Sequence, residues 1–81
     1  MYFGRNIKAS NMNFDIVLVN EEQGELVVNV KYATTIRGLK YQLEIPDCHA
    51  GDIVIFNKHR KPLPDNMPIR GMATFFYELP A

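Results

Sequence analysis

The stretch LKYQLEI, residues 39–45, weighs most in deciding the fold: Leu39, Tyr41, Leu43 and Ile45 alternate with Lys40, Gln42 and Glu44. In an extended chain a period of two sends successive side chains to opposite faces, here apolar on one side and polar on the other. That pattern predicts a half-buried β-strand. Toward the N-terminus, ELVVNVKYA repeats it, with Leu26, Val28, Val30 and Tyr32 opposed to Asn29 and Lys31. FDIVLV, residues 14–19, is apolar at both parities, which suits a strand covered on two faces or lying at an interface. Toward the C-terminus, DIVIF and MATFFYEL are short runs rich in β-branched and aromatic residues, again the chemistry of strands.

The connections agree with strands. Gly24 in NEEQGE supplies the positive φ of a short hairpin loop. Arg37-Gly38 fits a second tight turn, and PDCHAGD carries the turn formers Pro46, Asp47, Gly51 and Asp52. The next connection, KHRKPLPDNMPIRG, is long and holds Pro62, Pro64 and Pro68. Proline has no N–H to give to a ladder, so no regular strand is expected there, and long loops in compact domains are often functional. The expected fold is therefore all-β, or β with a minor helical turn near residues 8–12. Antiparallel strands near 14–20, 25–36, 39–45, 53–58 and 71–79 would form a five-stranded meander curled into a small barrel or sandwich. Open edges need cover. Residues 1–13, as an arm or an edge strand through Tyr2 and Phe3, or else a second subunit, would provide it.

With 81 residues the chain is one domain, and 47% apolar with 22% charged residues is an ordinary globular mixture. No apolar run approaches the ~20 residues of a membrane-spanning helix. Nine basic and nine acidic side chains cancel, which removes the strong positive field a general nucleic-acid coat needs. The charges are not evenly mixed, however. Asp15, Glu21, Glu22 and Glu25 cluster early, whereas Lys31, Arg37, Lys40, Lys58, Arg60, Lys61 and Arg70 lie later, so a neutral total can conceal an acidic end and a basic end, the alternative being a normally solvated surface. The single cysteine, Cys48, gives no internal disulfide, and MYFGRNIKAS lacks the apolar segment of a secretory signal. The expected location is the cytoplasm.

Catalytic and metal chemistry find little support. Structural zinc takes four ligands, often in paired close spacings, and the chain has only Cys48, His49 and His59 to offer. A thiol nucleophile needs a base within hydrogen-bond reach, but the strand through residues 53–56 separates Cys48 from His59. No glycine-rich phosphate loop and no GxSxG occurs. No enzyme activity, metal or cofactor is expected.

Two binding surfaces remain. In a meander alternate turns share one end of the sheet, which would gather Arg37, Lys58, His59, Arg60, Lys61 and Arg70, with Phe75 and Tyr77 beside them as aromatic faces. Independently, strand alternation sends Phe75, Tyr77 and Leu79 one way and Met72 and Phe76 the other, so both faces carry bulky apolar groups. A second sheet, a second copy or a target would cover the surplus. The expectation is a small non-enzymatic binding protein, an adaptor or inhibitor of the size that phages and mobile elements encode. It would form a homo-oligomer and occupy a protein partner. The alternative is a binder of a phosphate-bearing ligand, whether RNA, single-stranded DNA or a signalling nucleotide, through the basic end. Falling affinity with rising salt would mark the second.

Overall fold

A computed structural model of the chain describes residues 12–80. Except for Met12 and Asn13, the segments expected to cover an edge or to form a helical turn lie outside the described residues.

Strands β1 (Asn13–Asn20) and β2 (Gly24–Lys31) form an antiparallel hairpin, in register from Asn13 opposite Lys31 to Asn20 opposite Gly24. The Asn20 side-chain oxygen accepts from the backbone N–H groups of Glu22 and Gln23, both at 2.8 Å, and Gly24 takes φ +83°. Asparagine thus shapes the loop while glycine supplies the left-handed backbone. After β2 the chain turns through Ala33 at φ +68° into β3 (Thr34–Thr35) and then α1 (Ile36–Gln42). A 3-10 turn at Ala50–Asp52 leads to β4 (Val54–Phe56), followed by β5 (Pro68–Ile69) and β6 (Ala73–Glu78). The main sheet has the order β2-β1-β6-β4, with β1 and β6 parallel at its centre and antiparallel pairs outside; β3 and β5 make a separate two-stranded ribbon.

The chain is mostly strand, as its periodicity indicates, but it is not an antiparallel five-stranded barrel or meander. The expected strand over 39–45 is largely a helix. Leu39 and Leu43 satisfy both periods, but Ile36, Leu39 and Leu43 together form the stripe of a helix face. Burial follows the helix: these three are 0%, 0% and 6% exposed, whereas Tyr41 is 60% exposed and Lys40 only 8%. The Thr35 hydroxyl caps the helix by accepting from the Gly38 N–H at 3.1 Å, so Arg37-Gly38 opens a helix instead of a hairpin turn. Two further orphan donors of the first turn are met by the proline loop: the Ile36 N–H donates to the Met67 carbonyl and the Arg37 N–H to the Asp65 carbonyl, each at 2.9 Å. The Lys40 ammonium then reaches the Asp65 carboxylate at 2.7 Å.

The other expected strands shift less. Residues 25–36 divide between β2 and β3, 53–58 contracts to β4, and 14–20 and 71–79 lie close to β1 and β6. The proline loop contributes only the two residues of β5 and a bridge between Phe56 and Pro62. One core results, built from Ile16, Leu18, Val30, Ile36, Leu39, Leu43, Ile53, Ile55, Ile69 and Tyr77.

The helical assignment has a direct test in chemical denaturation. Leu39→Ala should destabilise the domain by about 3 kcal/mol and Tyr41→Ala by less than about 1 kcal/mol, whereas a strand would put both on one face with similar losses. Thr35→Ala should cost about 1 kcal/mol through the lost cap, read as a lower urea midpoint at unchanged slope.

Candidate functional site

Each strand of the main sheet turns one parity toward the core and the other away from it. Because Ile16 and Leu18 are buried, Val17 and Val19 point outward from β1; because Tyr77 is buried, Thr74, Phe76 and Glu78 point outward from β6. Buried Ile55 likewise leaves Val54 and Phe56 outward on β4, and buried Val30 leaves Val27 and Asn29 outward on β2. Helix α1, the β3–β5 ribbon and the segment after the 3-10 turn send Ile36, Leu39, Ile69 and Ile53 into the core on the other side.

Register joins the outward side chains into rows. Phe76 lies opposite Val19 on one side and Phe56 on the other, giving an apolar row across three strands. A second row runs Val27, Val17, Thr74. Val27 is 60% exposed, a large apolar side chain left in water. Beside the first row is a groove of about 540 Å³ whose lining includes Val19, Glu21, Glu22, Phe56, Arg60, Phe76 and Glu78.

Arg60 covers part of this groove. Its guanidinium carbon stands 5.5 Å from the centre of the Phe76 ring, within cation–π range, and its terminal nitrogen is 3.4 Å from a Glu21 carboxylate oxygen. The turn that carries it is organised by Asn57, whose side-chain oxygen accepts from the N–H groups of His59 at 2.8 Å and Lys61 at 3.1 Å. Arg60 itself takes φ +65°. With side chains 62% and 85% exposed, the Arg60–Glu21 pair is worth no more than about 1 kcal/mol and opens readily.

The residues expected from sequence distribute as follows. Arg60 lies on the outward face, and Lys58, His59 and Lys61 are exposed in the same turn. Arg37 is on α1, with its guanidinium 5.8 Å above the Tyr41 ring. Arg37 stands in the first turn of that helix, where the sequence suggests a strand-to-strand turn. Arg70 is exposed between β5 and β6. Tyr77 is 4% exposed and Phe75 packs against the core, so neither offers a free stacking face; the outward aromatic of β6 is Phe76. Cys48 is half-buried with its thiol 3.6 Å from the His49 carbonyl oxygen. Among the described residues no group of three or more His, Cys, Asp and Glu side chains could hold a metal ion.

Val19, Phe56, Glu21, Glu22 and Glu78 were not singled out by the basic-end reasoning. Two signals in the sequence lead to three of them: the apolar residues at both parities of FDIVLV to Val19, and the early acidic cluster to Glu21 and Glu22; neither reaches Phe56 or Glu78. Glu25 lies opposite Val19, and Asp15 accepts a hydrogen bond from Asn29 at 3.0 Å, which puts both acids on the outward face. Glu21 and Glu22 line its groove.

No protein-family model matches the sequence, and no curated protein matches it. Solved structures do. The chain resembles an N-terminal ubiquitin-like domain determined in solution, with TM-score 0.72 at 16% identity over 93% of this chain and 82% of that one. It is similar to Caldiarchaeum subterraneum ubiquitin, with TM-score 0.71 at 13% identity over 86% and 96%. The ubiquitin-like domain of Plasmodium falciparum Dsk2 gives TM-score 0.64 at 18% identity over 85% and 100%. Similarity at this level of identity is a likeness of fold. The chain has the ubiquitin-like, or β-grasp, fold.

Proposed function

We propose that the chain is a non-enzymatic protein-interaction module that takes its partner on the outward face of the main sheet, as an adaptor or inhibitor acting by occupation. The observation that carries this reading is the row Val19, Phe76, Phe56 bordering a groove on a face whose apolar side chains the core does not use. Two phenylalanines beside an arginine match the composition of the buried centre of interfaces, where a few aromatic and arginine anchors dominate affinity. Fold analogy supports the same reading, since ubiquitin-like domains are typically interaction modules and not catalysts.

The test is quantitative affinity capture from the cells that make the protein, using three forms of the chain. Wild type and Tyr41→Ala, altered on the exposed side of the helix, should retain the same partner, and Phe76→Asp should lose it. Retention by Phe76→Asp with loss by Tyr41→Ala would move the interface to the helix. With the partner purified, Phe76→Ala should weaken binding by about 2 kcal/mol, roughly thirtyfold in Kd, with its urea midpoint measured alongside to separate lost contact from lost folding.

A further inference from the structure

Taking the outward face as the docking surface, we infer that its occupant is an extended apolar segment flanked by basic side chains, arginine above all, and that Arg60 holds that arginine's place in the free protein. This rests on the function proposed above and concerns the charge of the partner. Three carboxylates, Glu21, Glu22 and Glu78, line the groove against the single guanidinium of Arg60. The lining of the groove is therefore acidic in a chain with no net charge, although Lys58 and Lys61 are exposed in the same turn as Arg60.

The site shows which chemistry it accepts. A guanidinium already lies between the face of Phe76, at 5.5 Å, and the Glu21 carboxylate, at 3.4 Å. The groove therefore contains a cation site bounded by a π face and an acid. Both partners of that contact are largely exposed, so the internal occupant is held weakly. Among the described residues neither Glu22 nor Glu78 takes part in an ion pair. An arginine delivered by a segment lying along Val19, Phe76 and Phe56 meets the same ring and finds these further carboxylates. An acidic segment reaching for Arg60 would instead bring its carboxylate against Glu21, at a like-charge cost.

The experiment is an NMR titration of the full chain with short synthetic peptides that share one apolar centre and differ only in Arg, Ser or Glu flanks. The Arg-flanked peptide should shift the amides of Val19, Glu21, Phe56 and Phe76, bind about tenfold more tightly than the Glu-flanked one, and weaken as salt is raised. Arg60→Ala removes the internal competitor and should tighten the Arg-flanked peptide a few-fold. The double variant Glu21→Lys, Glu22→Lys should reverse the flank preference. Equal or tighter binding of the Glu-flanked peptide on these residues, or weaker binding of the Arg-flanked peptide by Arg60→Ala, overturns the inference and leaves the docking face standing. Shifts of the same amides with protein concentration alone would make a second copy the occupant and overturn it too. If no peptide binds while Phe76→Asp still loses its captured partner, the charge assignment alone fails. If Phe76→Asp keeps that partner, the docking face fails as well.

Discussion

Everything in this domain depends on one short helix packing against one face of a four-stranded sheet. Ile36, Leu39 and Leu43 share a core with Ile16, Leu18, Ile55 and Tyr77, and each such side chain withdrawn from water contributes about 1.5–3 kcal/mol. A helix of seven residues has no stability of its own. It persists because that stripe is buried and because the first turn is capped by the Thr35 hydroxyl and by the carbonyls of Met67 and Asp65. The proline-rich loop, whose composition suggests a binding segment, thus also has a structural duty: it supplies acceptors where helix N–H groups would otherwise go unmet. One helix can cover only one side of a sheet. The apolar residues on the other side lie outside that core.

The sequence carries the strand content, the first hairpin and the two-sided character of β1 and β6, because those depend on alternation and on local turn chemistry. It misleads at residues 39–45, where Leu39 and Leu43 fit a period of two and a period of 3.6 equally well. The tie is broken by Ile36, Thr35 and the distant carbonyls of residues 65 and 67, and the last of these is tertiary information. The parallel pairing of β1 with β6 is likewise invisible in local pattern. Parity separates Phe76 from Phe75 and Tyr77 correctly, but it cannot say which face the core will claim. The expected gathering of basic residues rests on a meander, and the helix that begins at Ile36 removes that premise for Arg37. The acidic surface was more legible: Asp15, Glu21, Glu22 and Glu25 occupy one hairpin, whose geometry needs no knowledge of the rest of the fold.

Charge is unevenly placed in a molecule with no net charge, although Arg60 stands on the same side as the hairpin acids. The acids of the hairpin share the outward side with the apolar rows, while Arg37 and Lys40 belong to the helix on the other side. Lys40 is the one charged side chain among the buried described residues, its stem covered and its ammonium delivered to Asp65 at the surface. That arrangement ties the helix to the proline loop without stranding a charge in the core.

The central position of β6 has a consequence for how the domain comes into being. The middle of the sheet joins residues 16–19 to residues 73–76, so its decisive contacts close a loop of more than fifty residues. Until β6 has been synthesised the hairpin has one flank unpaired and α1 lacks half of its floor. Such high contact order makes folding slow compared with a helical bundle of equal length, and it makes completion of the sheet depend on β6. For the same reason, damage to the last strand would not fray an edge: it would remove the seam on which both halves of the sheet meet.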